Sequence, residues 1–161
     1  MSLEERVLEA LRREKLTLAC AESCTGGLFG ARLTTPSGAS DVFQGGVICY
    51  QDEVKAAILH VDRKLLAEKG GVTAEAARQM ATGARELLGT DIAISITGFA
   101  GPKVPPGGEL GRVYIGVAHA GGVEVHELHF PDAREAVRAG AAERALEYVL
   151  DVVPRAAKAR S

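Results

Sequence analysis

Leu16-Thr17-Leu18-Ala19-Cys20-Ala21-Glu22-Ser23-Cys24-Thr25-Gly26-Gly27 is the stretch on which the reading of this chain turns. Its first five residues form an apolar run that predicts a short buried strand, and residues 28–33 carry apolar side chains at helical spacing. Between the two lies a hydroxyl residue followed by Thr-Gly-Gly. Glycines let backbone N–H groups approach a ligand closely. The first turn of a helix leaves N–H donors unpaired and open to an anion or an oxyanion. On that reading Ser23 would sit beside donors suited to developing negative charge. The ordinary alternative is a strand-to-helix turn in which Ser or Thr serves only as N-cap.

Working outward, Leu3, Val7, Leu8 and Leu11 repeat at helical spacing and predict an amphipathic helix over residues 2–14. Downstream of the Ser23 turn, residues 34–41 contain Pro36, Ser37, Gly38 and Ser40 and read as a loop. Residues 45–50 predict a second buried strand, 51–59 a helix with Asp52 and Glu53 in its first turn, and 62–69 a short helix stopped by Gly70-Gly71. Thr73 caps a longer helix whose Ala77, Met80, Ala84, Leu87 and Leu88 make one apolar face. Residues 91–96, Asp-Ile-Ala-Ile-Ser-Ile, predict a central strand. Residues 112–118 and 123–130 predict a hairpin around Gly121-Gly122, with a bulge between Val125 and Leu128 where the inward phase slips. Asp132 is expected to cap a last helix to about Leu150, with Ala133, Val137, Ala141, Ala145 and Tyr148 inward. Pro154 is expected to end that helix, leaving residues 154–161 as a frayed basic tail after a domain of residues 1–153. Strands alternating with helices, plus one hairpin, predict an α/β chain: a single-domain three-layer α/β/α sandwich with a mixed, mostly parallel sheet and a C-terminal hairpin.

Composition narrows the function. A chain of 161 residues, 47% apolar, has room for one sizeable core. A net charge of −2, 4% aromatic residues and no Trp argue against nucleic-acid binding, which needs a basic face or stacking platforms. No apolar run has the length of a membrane span, and Glu4 and Glu5 stand where a signal peptide would be basic, so a cytoplasmic protein is expected. Cysteines 20, 24 and 49 make neither a disulfide framework nor zinc spacing, and histidines 60, 119, 126 and 129 show no metal pattern. No metal and no cofactor are expected.

Several further residues carry chemical potential. Lys55 falls in the first turn of its helix, where a cation opposes the dipole, and a neutral lysine is what a general base requires. Tyr50 flanks the same boundary. Thr97, Gly98 and Gly101 follow the central strand, where open α/β sheets place ligands. Arg134 and Arg138 stand one turn apart at the start of the last helix, suited to phosphate or carboxylate. Cys24, beside a helix start, is a rival nucleophile if its thiol is acidified, but a small buried cysteine is the expected state.

The order Ala21-Glu-Ser-Cys-Thr-Gly-Gly27, then Gly45-Gly-Val-x-x-Tyr50-x-x-Glu53-x-Lys55, then Thr97-Gly-x-Ala-Gly-Pro102, resembles the C-terminal domain of CinA, the PncC family of nicotinamide-nucleotide amidases. The resemblance continues through Gly111-x-Val-Tyr-Ile-Gly116 and from Phe130 to Arg138, and the length is that expected of the stand-alone form of the family. It implies hydrolysis of the carboxamide of nicotinamide mononucleotide (NMN) to nicotinate mononucleotide and ammonia. Ser23 would be nucleophile, Lys55 its base, and Tyr50 the residue that orients them. The N–H groups of Cys24, Thr25, Gly26 and Gly27 would form the oxyanion hole. The Thr97–Gly101 loop or the arginines would hold the ribose phosphate, Arg138 matching the family's basic position most directly and Arg134 a second. A homodimer is implied too. The chain departs from the family pattern at residues 103–110 and at Asp132-Ala133-Arg134, both flanking the ligand loop. A rival reading, from the family's link to competence, is a catalytically weak nucleotide- or partner-binding module.

Overall fold

The computed structural model describes residues 1–160. In chain order the elements are α1 (Leu3–Glu14), β1 (Leu18–Glu22), α2 (Leu28–Leu33), β2 (Phe43–Ile48), α3 (Asp52–Leu59), α4 (Arg63–Lys69), α5 (Ala74–Leu88), β3 (Ile92–Gly98), β4 (Arg112–His119), β5 (Gly122–His129) and α6 (Arg134–Arg160). The sheet order is β2-β1-β3-β4-β5. β1 pairs in parallel with β2 and β3, while the β3–β4 and β4–β5 pairs are antiparallel. The sheet is thus mixed, with a parallel half that carries the crossover helices.

Side-chain alternation along β1 and β3 sorts the core into two layers. Leu18, Cys20, Ile92, Ile94 and Ile96 face one way, onto apolar residues of α1, α2 and α6 such as Leu11, Phe29 and Leu146. Ala19, Ala21 and Ala93 face the other way, onto Leu59 of α3, Leu66 of α4 and Met80 of α5. The second face is built from small side chains because α5 sits close to the sheet. At Gly116 of β4 a Cβ would lie 2.6 Å from the Ala77 carbonyl oxygen, and the buried Ser95 hydroxyl donates to that same carbonyl at 2.6 Å. The helix ends are closed by local side chains and glycine, with Thr73 in its expected place and Asp62 one residue outside the helix expected to start at it. Ser2 and Glu5 form a capping box on α1, Asp62 caps α4, Thr73 caps α5, and Gly89 closes α5 in the left-handed region.

The structure corrects several expectations. β1 starts at Leu18, two residues late, because the Thr17 N–H and hydroxyl are bound by the Asp91 carboxylate instead of a strand neighbour. β2 starts at Phe43 and stops before Tyr50, which lies in the connection to α3. The β4–β5 ladder runs without a bulge from Arg112↔His129 to His119↔Gly122. β5 is an edge strand partly exposed on both faces, so its inward phase is not strict. The irregularity occurs on the opposite edge, where Leu18↔Phe43 and Ala19↔Gly45 leave Gln44 as the extra residue. Leu87 is exposed, and the residue before α6 is Ala133, itself exposed, not Asp132. Pro154 does not end α6. It costs one intrahelical hydrogen bond, but Val152, Val153 and Ala156 are buried around it, and Arg160 donates to the Glu14 and Lys15 carbonyls at the end of α1. Ser161, part of the expected tail, lies outside the described residues.

Candidate active site

β1 ends at Glu22, and the next residue, Ser23, donates its backbone N–H to the Ile96 carbonyl of β3 at 2.9 Å. That bond fixes Ser23 at the carboxyl ends of two adjacent parallel strands, the usual ligand-binding edge of such a sheet. From the next crossover, α3 sends Lys55 to the same point. Its Nζ is 3.0 Å from Ser23 Oγ, 2.9 Å from the Cys49 carbonyl and 3.1 Å from the Tyr50 carbonyl. Lys55 is 2% exposed and Ser23 7%. Asp52, one turn earlier, places a carboxylate oxygen 3.5 Å from Nζ. Nζ thus has three acceptors within 3.1 Å, the Ser23 hydroxyl and the two carbonyls. The stem of Lys55 is pressed into place by Gly71, where a Cβ would collide with Asp52 and with the Lys55 side chain.

The Ser23 turn is more occupied than its sequence suggests. Gly26 and Gly27 take the positive φ values of 58° and 109° that glycine tolerates. The Glu22 carboxylate, 2% exposed, accepts from Gly27, Phe29 and Gly30 N–H at 3.2, 2.9 and 3.0 Å. The expected open helix start is therefore filled by the chain's own anion. Gly26 N–H is bound to the Ser23 carbonyl at 3.1 Å. Of the four expected oxyanion donors, Gly26 and Gly27 are spent; among the described residues, the Cys24 and Thr25 N–H groups have no acceptor. Burial pushes the Cys24 thiol up to about 11, outweighing the nearby Arg138 and Lys55, so the acidified thiol of the rival reading is not what the fold builds.

A cavity of about 200 Å3 opens in front of Ser23 and Lys55, walled by Gly98, Phe99 and Gly101 and bordered by Lys103 and Arg134. Gly98 admits no side chain because a Cβ would crowd Val113 and the Arg112 carbonyl of β4. Arg134 donates to the Gly101 carbonyl at 2.6 Å and reaches the Tyr50 hydroxyl at 3.4 Å. Three expectations change. Tyr50 presents its backbone carbonyl to the pair, while its side chain is 54% exposed. Thr97 is fully buried and does not line the cavity; its hydroxyl holds the Gly71 carbonyl at 2.7 Å. Arg138 is also off the cavity lining and grips the Cys24 and Thr25 carbonyls at 3.0 and 3.1 Å. Glu22, Asp52, Gly71 and Lys103 were not singled out by sequence reasoning. A larger hollow of about 500 Å3 beside α1, next to Leu8 and Pro36, contains none of these groups.

The family model for the CinA C-terminal domain matches residues 1–153. The chain belongs to the CinA C-terminal domain family. A relative from Bacillus velezensis, provisionally named competence-damage inducible protein, is 44% identical over 152 residues, covering 94% of this chain and 36% of its own length. One of the same name from Bacillus subtilis is 41% identical with the same coverage. The chain thus spans about a third of the curated relatives it matches. Among solved structures, a CinA superfamily protein from Klebsiella pneumoniae is 32% identical with a TM-score of 0.90, covering 96% of this chain and 99% of that one. A competence/damage inducible protein from Agrobacterium tumefaciens is 31% identical at 0.89, with 93% of each chain covered. The CinA domain fold is therefore shared along nearly the whole chain. Among its described residues, no three His, Cys, Asp or Glu side chains gather as a metal site, and no helix is long and apolar enough to cross a membrane.

Proposed function

We propose that this CinA domain is an amidohydrolase that converts NMN to nicotinate mononucleotide and ammonia. The observation that carries the reading is the buried Lys55 Nζ, 3.0 Å from Ser23 Oγ with the Cys49 and Tyr50 carbonyls taking its other bonds. A solvated structural lysine needs no such seat. Lys55 as neutral amine takes the Ser23 proton while Oγ attacks the carboxamide carbon. The carbonyl oxygen gains the negative charge and is met by the N–H of Cys24, which borders the cavity. The Lys55 ammonium returns the proton to the leaving nitrogen, the C–N bond breaks, ammonia departs and an ester to Ser23 remains. A water molecule, deprotonated by Lys55, then attacks that ester; the Lys55 ammonium protonates the departing Ser23 Oγ as its C–O bond breaks, and the released acid gives its proton to solvent to become the nicotinate carboxylate.

The cavity, about 200 Å3, is below the roughly 300–1,000 Å3 of sites that enclose a whole drug-sized ligand. It suits the pyridine carboxamide, with the ribose phosphate at the mouth beside Arg134 and Lys103. The proposed setting is pyridine-nucleotide recycling in the cytoplasm by a homodimer, to be checked by light scattering. The decisive assay is ammonia release. NMN is expected to be turned over and free nicotinamide to stay near background, because the phosphate anchors the substrate. Equal turnover of the two would remove the nucleotide specificity. No ammonia from either would favour the nucleotide- or partner-binding module.

A further inference from the structure

Glu22 and Arg138 take no part in proton transfer, yet both are committed to the turn that follows Ser23. Glu22 is buried, and among the described residues no cation pairs with it. A carboxylate in that state is tolerated only when its oxygens are well supplied with donors. They are supplied by Gly27, Phe29 and Gly30, so Glu22 holds the far end of the turn by its N–H groups. Arg138, reaching across from α6, holds the near end by its carbonyls, Nε on Cys24 and Nη2 on Thr25. A trans peptide is planar, so a pinned C=O points the N–H of the same unit the opposite way. Arg138 on the Cys24 carbonyl thereby sets the Thr25 N–H away from the guanidinium. Its grip on the Thr25 carbonyl likewise sets the Gly26 N–H, which reaches the Ser23 carbonyl and so fixes the Cys24 N–H of that same peptide unit.

Building on the Ser23–Lys55 reading, we infer that Glu22 and Arg138 are positioning residues that preorganise the Cys24 N–H, the unspent donor of the turn that borders the cavity, as the oxyanion donor. The turn's peptide dipoles lie between a fixed anion and a fixed cation and are oriented before substrate arrives, which is what makes such donors effective. Arg138 then acts on kcat and not as the phosphate anchor that the resemblance implies; Arg134 and Lys103 are the cations at the cavity.

The test uses the full chain with two substrates: NMN, read by ammonia release, and p-nitrophenyl acetate, read by the burst of Ser23 acylation. Glu22→Gln keeps the shape but replaces one acceptor by a donor, and Arg138→Lys keeps the charge but cannot fork across two carbonyls. Both variants are expected to lose ~10- to 100-fold in acylation rate and kcat, with KM within about threefold of wild type. Arg138→Met should match or exceed the loss in Arg138→Lys. If Glu22→Gln does not fold, the Arg138 variants, on a partly exposed side chain, carry the test. Variants that melt lower but acylate at the wild-type rate would make the two residues mere braces and overturn the inference. So would an Arg138→Met with raised KM and intact kcat. Ester acylation that depends on both residues, without ammonia release by wild type, would remove the amide substrate and uphold the inference. Wild type inert to both substrates would remove Ser23 as nucleophile, and this inference with it.

Discussion

The hydroxyl of Ser23 and the amine of Lys55 are 32 positions apart in the chain and 3.0 Å apart in space, and the first predictions belong to that pair. Ser23→Ala should lose on the order of a thousandfold or more in turnover, as removal of a covalent nucleophile does. Cys24→Ala should keep most of the activity. With its thiol pushed up to about 11 by burial, Cys24 is protonated at neutral pH, so alkylation by iodoacetamide should be slow there and accelerate only toward that value. Fast inactivation at pH 7 that is abolished by Cys24→Ala would move the chemistry to the thiol. Lys55→Met should lower kcat with KM nearly intact, whereas Arg134→Ala should raise KM, and steady-state kinetics on both separates base from anchor. Ser23 and Lys55 could be singled out from sequence because both residue types stand at strand-to-helix boundaries. Glu22 could not, since a carboxylate in an apolar run gains its meaning only from the three N–H groups folded over it.

At the level of elements, the site depends on how tightly α3 is wedged between its neighbours. The Gly70-Gly71 stop reads from sequence as punctuation after α4. In the fold Gly71 is a spacer whose missing side chain makes room for Asp52 and the Lys55 stem, and Thr97 of β3 anchors its carbonyl. Gly71→Ala should therefore displace Lys55 and cost more in kcat than in melting temperature, with overpacking worth about 1–3 kcal/mol. Activity retained alongside a large loss of stability would show that Gly71 serves packing alone. On the opposite face Arg32 of α2 ties α1 to α6, 2.6 Å from Glu4 and 2.7 Å from Glu143. The Glu4 carboxyl is held below its ordinary 4.5 by its backbone hydrogen bond and then by Arg32. A depressed carboxyl stabilises the fold above its unfolded value and loses that contribution as pH falls through the folded one. Glu4→Gln should thus lower the melting temperature at pH 7, and the gap to wild type should close as pH drops below about 4.5. A gap independent of pH would assign the loss to packing.

For the whole molecule, the least anticipated feature is α6, which passes Pro154 and ends with Arg160 capping the carbonyls of α1. Deleting residues 154–161 should cost on the order of 2 kcal/mol, a fall of roughly 4–8 °C in melting temperature for a chain of this size. An unchanged melting curve would restore the frayed tail. Local chemistry accounts for much of the rest. Apolar periodicity, the Thr73, Asp62 and Gly89 caps and the branched run of β3 determine the elements, because each depends on residues within a turn or two of one another. The same local patterns carried the alternation of strands and helices, hence the layered architecture, and the Ser23 turn as the place to look. Only the tertiary structure decided which side chains meet. It brought Lys55 against Ser23, filled the start of α2 with Glu22, turned Arg138 onto backbone carbonyls and Arg134 toward the cavity, and carried α6 through a proline. Each of these outcomes rests on burial and on the pairing of groups distant along the chain, whose free energies exceed the local preferences they override.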